Sequence, residues 1–126
     1  MSTTRRTIDI EGGLQARLEA DGWASCAPPL PATLGSTLPF VCVTRTGGTR
    51  SAFVQDDHAV TFDVYAATES AAMASACDLT AWAADLVGSD IGGEPCHLVS
   101  IGALPYSNPD PRHPTLARAS FPARIR

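Results

Sequence analysis

Residues 59–65 alternate between apolar and polar side chains, and this alternation constrains the fold more than any other feature of the sequence. Its apolar members are Val60, Phe62 and Val64. Successive side chains of a β-strand point to opposite faces, so the pattern predicts a strand with one buried face. Residues 116–126 alternate in the same way, and the apolar side of this second strand holds Ala117, Ala119, Phe121, Ala123 and Ile125.

Three further stretches favour strands. Residues 40–44 are rich in β-branched and apolar side chains on both faces, which predicts a buried strand that ends before the Gly pair at 47–48. A short strand is predicted near residues 23–27 and a further strand near residues 95–103. Because Pro122 has no N–H to donate to a ladder, the last strand is predicted to lie at a sheet edge or to carry a bulge.

Two helices are predicted, at residues 7–21 and 68–87, and a glycine follows each of them. Thr7 and Thr68 are the predicted N-caps, since a threonine hydroxyl can accept a hydrogen bond from a free N–H of the first turn. On the second helix, the stripe predicted to be buried comprises Met73, Cys77, Thr80, Ala84 and Val87, widened by Leu79, Trp82 and Leu86.

Polar or proline-rich stretches separate these elements, most clearly residues 45–57, predicted as a hairpin-like excursion, and residues 104–114, predicted as a rigid loop with four prolines. The order of helices and strands favours an α+β fold, with a mostly antiparallel β-sheet packed against two main α-helices. A chain of 126 residues fits a single domain, 1–126.

The charges are segregated along the chain. Nine basic residues, all of them Arg, and thirteen acidic residues give a net charge of −4. Residues 56–94 hold eight acids and no Arg, whereas four Arg and no acid follow Asp110. This balance does not indicate a dedicated nucleic-acid binder, which normally presents a basic patch. The segregation suits head-to-tail contact between subunits, although a solvated surface is the more frequent meaning of such charge runs.

No motif predicts catalysis or cofactor binding. The chain contains no Lys, which excludes a P-loop, and its isolated Gly pairs are predicted to be turns or helix caps at 12–13, 47–48 and 92–93. No serine lies in a nucleophile elbow, and Cys77 is predicted to be inert core material. We therefore expect no catalytic residue, no cofactor and no enzymatic activity.

Metal-ligand residue types occur, but without the close pairs that zinc sites use. They cluster at residues 56–58 and at 96–97, and His113 lies in the late loop. Adjacent side chains on a strand point to opposite faces, so a buried Cys96 and an exposed His97 are predicted instead of a metal site.

The cysteines are widely spaced and are predicted to be reduced and buried: Cys26, Cys42, Cys77 and Cys96. No apolar run approaches the roughly 20 residues that a membrane-spanning helix needs, and residues 1–11 lack the apolar core of a signal peptide. Together these features predict a cytosolic protein.

One ordered set of segments resembles a known family. Residues 38–48 read LPFVCVTRTGG, a hydrophobic strand that Leu-Pro precedes and Arg-Thr-Gly-Gly follows. An alternating strand, an Ala-rich helix and the late loop at 105–111, which reads PYSNPDP, come next and lead into the final strand. This order resembles the tail terminator, or tail completion, proteins of long-tailed bacteriophages over nearly the whole chain.

The resemblance implies a subunit of a homo-hexameric ring on the head-proximal end of the phage tail tube. Such a ring ends polymerisation of the tail tube protein and joins the tail to the head–tail connector or stopper protein. Double-stranded DNA passes through its lumen without sequence readout, and no membrane or cofactor is involved. The implied location is the virion, after assembly in the host cytoplasm.

Charged and polar residues of the loops and the last strand are the ones expected at the assembly interface. We expect the acid-rich span to line the lumen and the Arg-rich end to meet an acidic surface on a neighbour. The candidate interface residues are Arg45, Arg50, Asp56, Asp57, Tyr106, Asp110, Arg112, Arg118, Arg124 and Arg126.

Two alternatives stay open. The first is another ring-forming subunit of the same particle: a head–tail connector, a neck protein or a tail-tube subunit. The second, from a different class, is a small hydrolase or ligand-binding domain, because small α+β folds host many functions.

Overall fold

The structure, a computed structural model, describes residues 7–26, 38–50 and 56–126. Within these residues there are two helices, α1 at Ile10–Ala20 and α2 at Glu69–Ala84. The strands are β1 Ala24–Cys26, β2 Phe40–Arg50, β3 Asp56–Ala66, β4 Asp90–Ile91, β5 Glu94–Pro95, β6 Val99–Ile101, β7 Tyr106–Ser107 and β8 Ala117–Ile125.

The strands form one large sheet and one small hairpin. The large sheet has the order β1-β2-β3-β8-β6, and β7 pairs with β8 next to β6. Its pairings are antiparallel except that of β1 with β2. β4 and β5 make the small hairpin. Both helices contribute to the core on one face of the large sheet, so the predicted α+β fold is confirmed.

The main core lies between this face and the helices. Val60, Phe62 and Val64 are fully buried in it, as their alternation predicts. Phe62 stacks on Phe121 with ring centroids 5.1 Å apart and meets the half-buried Trp82 edge-on at 6.2 Å. These aromatic rings join β3, β8 and α2 at the centre of the domain.

α1 begins three residues later than predicted. Asp9 caps it, because the Asp9 carboxylate accepts a hydrogen bond from the Gly12 N–H at 3.0 Å; the predicted cap, Thr7, lies outside the helix. Gly13 is a packing residue, since a β-carbon there would lie 2.9 Å from the backbone nitrogen of Gly92. The missing side chain lets α1 lie directly against the β4–β5 hairpin.

α2 begins as predicted, but its buried stripe matches the prediction only in part. The Thr68 hydroxyl accepts a hydrogen bond from the Ala71 N–H at 3.1 Å. The predicted burial of Cys77, Ala84 and Val87 is wrong, since all three are exposed. Leu79 and Leu86 are buried as predicted. Alanine at the buried positions allows the helix to approach the aromatic core closely. The buried side chains of the helix are Ala72, Ala76, Leu79 and Ala83.

The other described cysteines follow the prediction. Cys42 and Cys96 are buried, and burial raises the pKa of the Cys96 thiol. His97 is exposed, as expected for the residue that follows Cys96 on an extended backbone. The side chain of Cys26 lies outside the described residues.

β2 extends well beyond the predicted strand. It continues through Gly47 and Gly48 to Arg50, where the sequence favours a turn. A bulge shifts the pairing of β2 with β3 after Arg45, and bulges of this kind often contain glycine. The described part of the predicted excursion is therefore a long two-stranded hairpin, and residues 51–55 lie outside the described residues.

The strand predicted at residues 95–103 is divided into β5 and β6. The Cys96 N–H donates to the Ser89 carbonyl, whereas the next N–H, that of His97, donates to the Arg126 carbonyl. The chain thus passes from the small hairpin to the large sheet between these two residues. The late loop, predicted to be irregular, also contains a short strand, β7.

The prediction for Pro122 is wrong, because β8 is an interior strand with an unshifted register to β3. The Pro122 carbonyl accepts a hydrogen bond from the Gly102 N–H at 2.9 Å, on the side away from β3. The N–H and C=O of a strand residue point to the same side, so the missing donor also faces that side. On that side β6 ends at Ile101 and β7 begins only at Tyr106, so no strand residue lies opposite the missing Pro122 N–H. The sheet therefore loses no hydrogen bond at this position.

Gly47 and Gly48, which follow the bulge of β2, give a matched test of the hairpin. Both have positive φ, +150° at Gly47 and +143° at Gly48, so alanine at either position is strained by about 1–3 kcal/mol. At Gly48 a β-carbon would also lie 2.2 Å from the Asp57 carbonyl oxygen, whereas at Gly47 nothing lies within 4 Å. We expect Gly48→Ala to destabilise the protein by roughly 1–3 kcal/mol more than Gly47→Ala in urea unfolding. Equal losses would contradict the close strand approach.

Candidate functional site

The sheet face opposite the helices carries a smaller apolar cluster joined to a polar network. Phe40, Cys42 and Tyr65 are buried in this cluster. The Tyr65 hydroxyl donates to Asp110 Oδ2 at 2.9 Å and accepts from Arg118 Nη1 at 3.3 Å. These contacts tie β3, the late loop and β8 together.

A second chain of hydrogen bonds anchors the start of the late loop. Arg118 Nε donates to the Asn108 carbonyl at 2.6 Å, and the Asn108 side-chain amide donates to Ser120 Oγ at 3.2 Å. The buried Ser120 hydroxyl donates in turn to Asp63 Oδ1. The loop predicted at residues 104–114 is therefore fastened to the sheet through polar side chains.

The electrostatics of this network favour the folded loop. Burial raises the pKa of Tyr65 to about 12, so its hydroxyl remains a donor at neutral pH. Burial alone would raise the pKa of Asp110, but hydrogen bonds from the Arg112 N–H and from Tyr65 lower it below its usual value. Arg118 Nη1 lies 3.5 Å from Asp110 Oδ2, so the buried carboxylate has a cationic partner.

Residues 98–108 run along the outer side of β8 and form one border of the sheet, here called the β6–β7 edge. The exposed large hydrophobic side chains of the described residues lie on or beside it: Leu104 is 80% exposed, Val87 48%, Leu98 47% and Tyr106 46%. Val87 joins this set because Gly88, the next residue, donates its N–H to the Cys96 carbonyl. Exposed apolar side chains along one border of a sheet are a candidate interaction surface.

A charged cluster surrounds the far end of the β2–β3 hairpin. Arg50 pairs with Asp56, and a hydrogen bond from Arg50 lowers the pKa of that carboxyl. Asp57 Oδ2 lies 3.6 Å from Arg124 Nη1 and 3.4 Å from Arg126 Nη2. The ends of β3 and β8 are therefore joined by ion pairs that remain partly exposed.

His58 adds a buried titratable group to this end of the hairpin. It is 5% exposed, and its Nδ1 has no hydrogen-bond partner among the described residues. Burial, together with nearby Arg45, lowers the pKa of His58 below its usual 6.5, although Asp56 and Asp57 act in the opposite direction.

The free energy of unfolding should fall as the pH drops through about 6.5, because His58 takes up a proton at a higher pH in the unfolded chain than in the folded protein. Above the unfolded pKa of 6.5 the full stability is present, and it is lost as the pH approaches the lower folded pKa. The lowered pKa values of Asp56 and Asp110 act in a separate window, near and below 3.8. Urea unfolding between about pH 7.5 and about pH 5.5 measures the slope of the free energy of unfolding against pH. His58→Gln should flatten it, whereas the exposed-site control His97→Gln should keep it; equal slopes in all three proteins would contradict this role.

The outer face of α2 carries two exposed acids, Asp78 and, at the C-cap, Asp85, and no basic residue lies within Glu69–Ala84. Glu69 is exposed in the first turn, about half a turn around the helix from Asp78. This surface carries the central part of the acid-rich span that the sequence shows.

The residues predicted to form an assembly interface lie in three places. Tyr106 lies on the β6–β7 edge. Asp110 is 4% exposed, so its carboxylate and its partner Arg118 act within the subunit, while Arg112 extends from Asp110 into solvent. The remaining candidates lie along β2 and at the far end of the hairpin: Arg45, Arg50, Asp56, Asp57, Arg124 and Arg126.

Sequence reasoning missed both the internal anchors and the apolar surface. Tyr65 is on the predicted polar face of its strand, yet it is buried because the late loop returns over it. Leu104 stands directly before Pro105 in a loop that otherwise lacks large aliphatic residues before Leu116, and this isolated leucine is the one signal that the sequence offered.

The described residues contain no group of three or more His, Cys, Asp or Glu side chains arranged to hold a metal ion. Within the same part of the chain, neither helix has the length and apolar character needed to cross a bilayer. Comparison with protein-family models and with curated proteins gives no match to this chain.

Proposed function

We propose that the protein is a structural subunit of a bacteriophage tail, a tail terminator that forms a ring at the head-proximal end of the tail tube. The observation that carries an assembly role is the β6–β7 edge, where Leu104 and Tyr106 are exposed on a loop that Asn108 and Asp110 anchor to the sheet. Anchored apolar side chains bind a partner without a large loss of conformational freedom.

The ordered segments at residues 38–48, 63–68 and 105–111 support the tail terminator in particular, since they resemble that family in sequence and order. The proposed ring ends polymerisation of the tail tube protein and presents its other side to the head–tail connector. The virion is the corresponding location.

Two exposed acids on the outer face of α2, Asp78 and Asp85, suit a surface that lines the DNA channel. Like charge keeps a passing polyanion from adhering, so these carboxylates would let DNA slide. DNA then passes through the channel of the ring without sequence-specific recognition.

Native mass spectrometry of the purified protein tests the proposal. We expect a dominant species at six times the subunit mass. In a separate gel-shift assay at moderate salt, this species should not retard a linear double-stranded DNA fragment. A sample that remains monomeric at high concentration, or one that binds DNA tightly, would contradict a tail terminator ring.

A further inference from the structure

We infer that β6 binds an extended segment of another protein by strand addition, and that this segment carries an acidic side chain between two apolar ones. The inference rests on the proposed assembly role and names the chemistry of the partner. β6 is the last strand of the large sheet on its side. An open sheet edge is a template for a further strand, which gains affinity from main-chain hydrogen bonds.

The hydrogen bonds between β6 and β8 determine which backbone groups point outwards. Leu98 and Arg126 exchange both of their N–H···O=C bonds, at 3.2 and 2.9 Å. Because alternate residues of a strand direct their N–H and C=O to opposite sides, those of Val99 and Ile101 point away from β8. These groups have no partner in the part of the chain that the structure describes. β6 therefore presents two donors and two acceptors to a neighbouring strand.

The side chains of β6 are apolar or small. Val99 and Ile101 are half-buried and pack against the main core on the helix-bearing face. Leu98 and Ser100 alternate with them and are exposed on the opposite face. None of these side chains carries the charge that commonly blunts an edge. The two partner residues that lie beside Val99 and Ile101 are therefore expected to be apolar.

Arg124 determines the charge expected at the partner residue between them. It is the β8 partner of Ser100, so the two side chains are neighbours on the face opposite the helices. Arg124 is 56% exposed, and its Nη1 lies 3.6 Å from Asp57 Oδ2, so its guanidinium keeps N–H donors for a second carboxylate. A residue added opposite Ser100 would have its Cα roughly 10 Å from that of Arg124, two strand spacings away. The small serine leaves room between them, so an aspartate or glutamate at this position can reach Arg124.

The acids of this chain are not available as such a strand, so the partner is a different protein. All thirteen acidic residues lie within the described part of the chain. The strands that carry acids are β3, which is interior, and β4 and β5, which have two residues each and pair with each other. The other acids belong to the helices, their caps and the anchored late loop.

Binding of short synthetic peptides to the whole chain tests the inference. One labelled peptide alternates valine with aspartate, and the control peptide alternates valine with lysine. Fluorescence polarisation should show that the aspartate peptide binds at least about tenfold more tightly. Arg124→Glu should reverse this preference, whereas Arg17→Glu, a charge reversal in the last turn of α1, should keep it. Equal binding of both peptides to the parent protein would overturn the acidic partner.

Hydrogen exchange tests the strand addition itself. The bound aspartate peptide should slow exchange of the Val99 and Ile101 amides at least about tenfold, because their outward N–H groups gain acceptors. The Ser100 amide points to β8, so it is the internal control and should change less. Peptide binding that leaves the exchange of Val99 and Ile101 unchanged would overturn strand addition.

Native mass spectrometry with the aspartate peptide separates this inference from the proposed ring. Intact rings that carry the peptide would support both. Rings that bind no peptide would overturn strand addition and leave the ring, whereas a monomer that binds it with the expected exchange pattern would do the reverse. Rings that dissociate on peptide binding would identify a second copy as the occupant of β6 and would overturn the assignment to another protein.

Discussion

Replacement of Phe62 by alanine should destabilise the protein by about 3–5 kcal/mol, the largest single-site loss that we expect. Phe62 is fully buried, stacks on Phe121 and meets Trp82 edge-on, so truncation opens a cavity between β3, β8 and α2. The surrounding backbone cannot collapse easily, because the long β3–β8 ladder fixes the spacing of the two strands. Urea unfolding followed by circular dichroism measures this loss.

Tyr106 provides the matched control for this prediction. It is also aromatic, but its side chain lies at the surface on the β6–β7 edge. Tyr106→Ala should therefore change the stability of the subunit by no more than about 0.5 kcal/mol. A Phe62→Ala loss of similarly small size would contradict the placement of the core between the helices and this face of the sheet.

Asp110→Ala should cost about 1–3 kcal/mol and should also loosen the late loop. The substitution removes the acceptor of the Tyr65 hydroxyl and the carboxylate beside Arg118, and both groups are largely buried. A double-mutant cycle with Tyr65→Phe should give a coupling of roughly 0.5–3 kcal/mol, because the two groups share one hydrogen bond. Hydrogen exchange of residues 104–114 should become faster.

Asp78→Ala is the control for charge removal, since Asp78 is exposed on α2. It should leave stability within about 0.5 kcal/mol of the parent protein and should leave the loop protected. Additive effects of Asp110→Ala and Tyr65→Phe, with no change in loop exchange, would show that the network does not hold the loop.

Period-two patterns were the most reliable guide from sequence to fold. The alternation around Phe62 and around Phe121 is fixed by the geometry of a strand, so it predicted both buried faces correctly. The buried stripe of α2 was harder, because alanines there are buried and equally small side chains nearby are exposed. The prediction for Pro122 failed for a different reason. The outer neighbour of β8 changes from β6 to β7 near this residue, and a sequence does not reveal which strands are neighbours in a sheet.

The candidate site was predicted only in part. The charged residues at the far end of the hairpin and Tyr106 could be selected because polar residues in long loops are commonly exposed. The internal role of Asp110 could not, because it depends on a contact with Tyr65 forty-five positions earlier in the chain. The β6–β7 edge was also beyond reach, since strand order is a property of the folded chain.

Electron microscopy of the purified protein separates a ring from every other state of assembly. We expect ring-shaped particles with six-fold symmetry and a central channel. A uniform population of single subunits, or of closed two-fold dimers, would contradict the proposed ring.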